Sequence, residues 1–236
     1  MGALMREQPL DEQGTPEWAW RPWLATLSEA LLKREVLTLP AARLVVVSPH
    51  PDDEVLGCGG LLALHAARGQ DCLVVAVTDG EASHRPLPVP GSEALAALRR
   101  AESTAGLQRL IGGAADVLRL GMPDSDVARH EQYLVQRLAH TLRHGDTVAV
   151  PWRLDGHPDH EACGRAAAKA CARAGCRLLE MPIWMWHWST PGDTRVPWHR
   201  LVALPLPTAV EAKKVLALRA HASQVLSRGA GVPPVL

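Results

Sequence analysis

Short apolar runs rich in valine and leucine alternate along this chain with longer stretches of helical periodicity, and few folds accommodate that rhythm. Leu44–Ser48, Cys72–Thr78 and Thr147–Val150 read as buried strands, apolar at nearly every residue rather than at every second one. Asp116–Leu120, Arg177–Ile183 and Leu201–Leu204 are weaker strand candidates. Helical stretches fall near 56–68, 92–111, 126–144, 159–174 and 208–226, with Leu134, Leu138 and Leu142 marking one face of the third. Strands separated by helices of this length run parallel, joined by right-handed crossovers with helices on both faces. The expectation is an α/β fold, a Rossmann-like three-layer sandwich with a mostly parallel sheet. Ligands in such sheets bind beyond the carboxyl ends of the strands.

The 236 residues suit one sizeable α/β domain, placed at 41–236. Residues 1–40 read as an extension: a mobile tail to residue 14, then a helix within 16–37, where Leu24, Leu27, Leu31 and Leu32 recur at helical spacing. Pro22 is expected to start or bend that helix, and Trp18, Trp20 and Trp23 to anchor it. Arg85–Gly91, with three prolines, and Thr190–Trp198 read as extended loops.

Lysine plus arginine equals aspartate plus glutamate at 25 each, which offers no electrostatic reason for a nucleic-acid or anionic membrane partner. No apolar run approaches the roughly 20 residues of a membrane span. The first thirteen residues carry Glu7, Asp11 and Glu12 and lack the apolar core of a signal peptide, so cytoplasmic residence is expected. Five cysteines without CxxC spacing read as free thiols. With no phenylalanine and one tyrosine the core must be aliphatic, which makes the eight tryptophans, most of them in two clusters, conspicuous. Exposed tryptophans and a neutral surface are compatible with a homo-oligomer.

The strongest chemical signal is Ser48-Pro49-His50-Pro51-Asp52-Asp53-Glu54, directly after the first strand. Three adjacent carboxylates repel one another, and burying them without a partner is costly. A divalent cation relieves that repulsion. His50 and Asp53 stand three apart, a spacing that lets both converge on one ion from a turn. Helix capping accounts for one acid at such a position, but not for three acids with a histidine. The second signal is Asp155-Gly156-His157-Pro158-Asp159-His160, after the strand 147–150, with its two histidines again three apart around a proline. His50, Asp53 and His160 make three ligands and leave a fourth position open, as in catalytic rather than structural zinc sites.

These two segments resemble the signature motifs of the LmbE/PIG-L family of zinc-dependent N-acetylglucosaminyl deacetylases. The resemblance extends to Thr78-Asp79-Gly80-Glu81, to Arg99 and Glu102, to Gly121-Met122-Pro123-Asp124 and to Ala220-His221-Ala222-Ser223-Gln224, over roughly residues 43–226. It implies His50, Asp53 and His160 as zinc ligands, Asp52 as general base and a protonated His157 as the group that steadies the oxyanion or helps the amine leave. It implies substrate contacts from Arg99 and Asp124, and a small N-acetylated sugar or glycoconjugate as substrate. One departure stands out: the family often has glycine where this chain has Ser125.

Two other accounts remain open at this stage. Two histidines and a carboxylate also hold iron(II) in oxygenases, and a non-catalytic metal-binding or interaction protein could keep the same scaffold. The spare Asp52 favours hydrolysis over the first, and Asp52 with His157 favours it over the second. Gly57-Cys58-Gly59-Gly60 lacks both the G-x-G-x-x-G order and a Walker lysine, so close packing explains it better than phosphate binding. Trp184, Trp186 and Trp188 alternate after a candidate strand, so one face could present all three to a substrate or seal the sheet. Cys163 and Cys171 read as small apolar filler.

Overall fold

The computed structural model describes residues 14–34, 36–39, 41–83, 92–112 and 115–227. The expected tail, up to residue 13, and the loop 85–91 lie outside them. Five strands form one wholly parallel sheet among the described residues: β1 (Leu44–Ser48), β2 (Cys72–Ala76), β3 (Ala115–Arg119), β4 (Thr147–Pro151) and β5 (Arg177–Met181). Their spatial order is β3-β2-β1-β4-β5. The chain builds outward from β1 to β3, then returns to β1's other side to lay down β4. That reversal opens a crevice between the carboxyl ends of β1 and β4, where doubly wound sheets bind ligands.

The strand sequences explain the layering. Successive strand residues face opposite sides, so Val45, Val47, Val148 and Val150 pack one face against α5 (Glu131–Thr141) and α6 (Pro158–Ala174). Leu44, Val46, Val74 and Ala149 pack the other face against α3 (Gly59–Ala66), α4 (Ser92–Ile111) and α8 (Thr208–Leu218). β1 and β4 are buried at every residue, as central parallel strands require, whereas β5 at the edge is not. Leu134 and Leu138 of the expected helical face are fully buried.

Several boundaries differ from expectation. The helix expected over 56–68 is two helices, α2 (Asp53–Leu56) and α3, parted at Gly57-Cys58. A Cβ on Gly57 would lie 3.0 Å from Ile183 Cδ1 and one on Gly60 2.6 Å from Leu206 Cδ2, which confirms packing as the reason for these glycines. The stretch 126–144 opens with a 3-10 turn, Val127–His130, and the last helical stretch divides into α8 and α9 (Ala222–Val225). Leu201–Leu204 is not a strand: only Ala203 bridges, to Val36, and Pro205 follows directly.

The helix α1 (Glu17–Arg34) runs through Pro22 and begins five residues before it, so the proline does not start the helix and simply forgoes one backbone bond. Trp20 is the anchor: it is buried, its ring lies edge-on to Trp186 at 5.1 Å, and its Nε1 donates to the Trp186 carbonyl. Trp23 meets Trp198 at 5.8 Å. Trp18, expected beside them, is exposed. All five cysteines are free, as expected.

Candidate active site

The turn after β1 and the start of α6 after β4 meet at the crevice. His50 Nδ1 lies 3.2 Å from Asp53 Oδ2 and 3.3 Å from His160 Nε2, and His160 Nε2 lies 3.2 Å from Asp53 Oδ2. Tetrahedral ligands held about 2.0–2.1 Å from a zinc ion stand about 3.3 Å apart, so these donors already form one triangular face of such a site. Asp53 and His160 are buried. His160 Nδ1 lies 2.7 Å from the buried Asp155 carboxylate, which leaves Nε2 free to ligate. A second trio, His50, His157 and Asp159, also clusters. There His157 Nδ1 already accepts the Asp159 N–H, while the Asp159 carboxylate accepts from the Ser125 and Val127 amides. The first trio is therefore the better fit for a divalent metal.

The electrostatics call for a cation. Burial works against a charged His160, yet Asp53 and Asp155 overcome it and push the imidazole up to about 9. Burial likewise opposes charge on His50, and bonds from Asp124, Asp159 and Asp53 hold it well above its ordinary value.

Asp52 is not one of the three converging donors. Its backbone sits at φ 131, a region that residues other than glycine rarely enter. Three contacts hold it there: Glu54 Oε2 accepts its N–H at 3.0 Å, and Arg99 Nη2 donates to the Pro51 carbonyl at 2.8 Å and to Asp52 Oδ2 at 3.0 Å. Burial pushes the Asp52 carboxyl up to about 7, with Arg99 pulling against it and Asp53 and Glu54 adding to it. A carboxylate near neutrality is placed for general-base work.

His157 is the N-cap of α6, its Nδ1 accepting the Asp159 amide, so the neutral ring carries its proton on Nε2. Burial pushes it down to about 3, with His50 and His160 acting in the same direction. With Nδ1 accepting, the ring is neutral here rather than in the protonated form expected from sequence, and Nε2–H is the proton it has to offer. Asp124 stands 3.3 Å from His50 Nε2 and accepts the Ala82 amide, while its own amide donates to Glu81. Ser125 adopts φ 66, in the left-handed region that glycine enters without the steric cost of a Cβ.

The structure therefore brings His50, Asp52, Asp53, Arg99, Asp124, His157 and His160 into one cluster. Arg99 is buried and committed to the Asp52 turn and the Gly80 carbonyl. Sequence reasoning missed Asp155 and Asp159, although both stand inside a motif it singled out. It also read Glu54 among the acids calling for a metal, whereas Glu54 accepts from Ser48, Ser103 and the Asp52 amide. The tryptophans do not share a face, because Met185–Trp188 is a helical turn, α7, rather than a strand. Trp184 meets His157 at 5.7 Å, Trp186 meets Trp20, and Trp188 Nε1 donates to the Asp155 carbonyl. Glu102 accepts from the Ser223 amide and hydroxyl, and His221 lies fully buried, its Nε2 2.9 Å from where a Cβ on Gly106 would stand. A cavity of about 480 Å³, lined among others by Leu61, Trp152, Met181, Arg200 and Lys214, includes none of the seven cluster residues.

Comparison with known proteins follows the same lines. The family model PIG-L, GlcNAc-PI de-N-acetylase, matches residues 45–171. A 1D-myo-inositol 2-acetamido-2-deoxy-alpha-D-glucopyranoside deacetylase from Mycolicibacterium smegmatis is 28% identical over 233 residues, covering 78% of this chain and 80% of the relative. Among solved structures, the N,N'-diacetylchitobiose deacetylase from Pyrococcus horikoshii aligns with a TM-score of 0.59 at 21% identity, over 91% of this chain and 81% of its own. GalB, the 4-carboxy-2-hydroxymuconate hydratase from Pseudomonas putida KT2440, aligns with a TM-score of 0.56 at 23% identity, over 78% and 80%. At these identities the two structures show a shared fold.

Proposed function

The chain belongs to the PIG-L family, and from that membership we propose that it is a zinc-dependent N-deacetylase of small N-acetylated amino-sugar compounds. The hydratase neighbour shows that the fold alone does not choose a reaction, so the reading rests on residues. The observation that carries it is the pairing of a three-donor metal face with two further groups, Asp52 and His157, that ligation does not use.

His50, Asp53 and His160 would hold the ion. When bound, it supplies a Lewis acid that polarises the amide carbonyl and makes water acidic enough to ionise near pH 7. Asp52, fixed by Arg99 and Glu54, takes the proton from the attacking water. His157 offers its Nε2–H to the carbonyl oxygen as negative charge develops there. The proton held on Asp52 is then available to the departing nitrogen, and acetate and a free amine result. Arg99 acts by holding the base, and Asp124, braced against His50 and the 81–82 backbone, is the acid we assign to substrate contact.

Metal-stripped protein, restored with zinc or with iron(II) under argon, tests this reading against a panel of N-acetylglucosamine conjugates with acetate release as the signal. Zinc-dependent release without oxygen supports it. Turnover that needs oxygen and a 2-oxo acid would replace it with the oxygenase account.

A further inference from the structure

One buried carboxylate joins two parts of the molecule that the chain separates by some thirty residues. Asp155 is fully buried, and its side chain accepts four hydrogen bonds. Oδ2 lies 2.7 Å from His160 Nδ1 and accepts the Trp184 amide at 2.9 Å. Oδ1 accepts the amides of Ile183 at 2.9 Å and Met185 at 3.1 Å. The backbone carbonyl of Asp155 accepts the Trp188 indole at 2.6 Å, and a Cβ on Gly156, which has φ 91, would lie 2.6 Å from Trp188 Nε1. The turns 155–157 and 183–188 are thus interlocked. Their product is a wall: the Trp184 ring, half-buried, stands 5.7 Å from the His157 ring.

We propose that Asp155 is a positioning residue with two arms, one orienting His160 toward the metal and the other fixing Trp184 as the aromatic face against which the amino sugar packs. Metal affinity and substrate recognition are then coupled through one side chain. The proposal rests on the deacetylase reading for its second arm only.

The chemistry of a carboxylate is what both arms need. All four partners of Asp155 present N–H groups, and an ionised carboxylate is acceptor at every position. Asparagine has the same shape but one end that donates. Placed at the Oδ2 position, that end would force His160 Nδ1 to accept, which puts the ring proton on Nε2 where the metal must bind. Placed at the Oδ1 position, it would face the Ile183 and Met185 amides, donor against donor. Either way at least one arm is broken, and both are when the amide takes the Oδ2 position. Trp184 is suited to its task because an indole face packs on the C–H face of a sugar ring without demanding a hydrogen bond.

The test is zinc affinity by competition with a chromophoric chelator, followed by kcat and KM at saturating zinc on an N-acetylglucosamine conjugate. Asp155→Asn should bind zinc about 10- to 100-fold more weakly and, once saturated, show a raised KM. Trp184→Ala should bind zinc as the parent does and raise KM about 3- to 10-fold with little change in kcat. The double variant should raise KM no further than the larger single effect, since both changes remove one interaction. Parental zinc affinity in both Asp155→Asn and Asp155→Ala, the second of which leaves His160 Nδ1 without this acceptor in any orientation, overturns the first arm; multiplying KM effects overturn the second. Should Asp155→Asn fail to fold, ¹⁵N imidazole spectra of the zinc-loaded parent decide the first arm. A His160 ring protonated on Nδ1 supports it, and one protonated on Nε2 refutes it. Trp184→Ala then decides the second arm through KM. A parent that releases no acetate from any conjugate defeats the deacetylase reading, while zinc affinity still judges Asp155.

Discussion

At the scale of single residues, the site is a set of buried polar groups whose partners fix what each can do. Glu54 illustrates how neighbours in sequence part company in space: Asp53 joins the metal donors, Asp52 faces Arg99, and Glu54 turns back to Ser48 and Ser103. His221 is a different case. It is fully buried and neither ring nitrogen has a hydrogen-bond partner among the described residues. Burial lowers its pKa below the ordinary 6.5, with Glu54 and Glu102 pulling it up, Arg99 pushing it down and Asp53 pulling it up. As pH falls below 6.5 the unfolded chain takes up this proton first. The contribution of His221 to stability is whole above that value and is lost as pH falls toward the lower folded pKa. His221→Leu, which removes the titration and leaves no unpaired nitrogen, should therefore flatten the loss of urea midpoint between about pH 7.5 and 5.5. An unchanged pH slope would show that His221 does not carry it. The convergence of His50, Asp53 and His160 was legible in the sequence because motif spacing reports which residues share a turn. Asp155 and Asp159 were not, since an acid's partners depend on where distant segments such as 183–185 and 125–127 are folded.

At the scale of elements, the seam between α6 and β4 matters most, because α6 carries both His157 and His160. Gly164, one turn beyond His160, makes that seam close: a Cβ there would lie 2.8 Å from Arg153 Cα and N and from the Pro151 carbonyl oxygen. These are backbone atoms and cannot swing aside. Gly164→Ala should force α6 outward, costing about 1–3 kcal/mol and weakening zinc binding together with it. Full stability with parental zinc affinity would show that the helix has slack at this point. The parallel order of strands and helices could be read in advance because buried strands are apolar throughout and helices are amphipathic. Boundaries could not, for tertiary reasons that particular residues show. β5 stops at Met181 because Pro182 has no amide proton to give, and the next three amides go to Asp155, which starts α7 where the alternation of the tryptophans suggested one shared face.

At the scale of the whole molecule, the proposed metal site spans the reversal in the sheet: His50 and Asp53 belong to the β1 side, His160 to the β4 side. A bound ion therefore ties together the two halves of the fold as well as serving the chemistry. Zinc at 100 times its dissociation constant should add about 2.7 kcal/mol to stability, seen as a higher melting temperature that a chelator reverses. The same melting temperature with and without zinc would deny the tie. Residues outside the matched segment also brace the 183–189 turn, since α1 packs Trp20 on Trp186 and Thr15, just before α1, donates to the His187 and Ser189 carbonyls. The central claim is that the crevice hydrolyses an amide with Asp52 as its base. The most direct measurement is the rate of acetate release by Asp52→Asn beside the parent, with zinc content determined on the same samples. Asparagine keeps the shape of the aspartate it replaces, so the account predicts one zinc retained and a rate about 10²- to 10⁴-fold lower. A variant that holds zinc and turns over at the parental rate would contradict it.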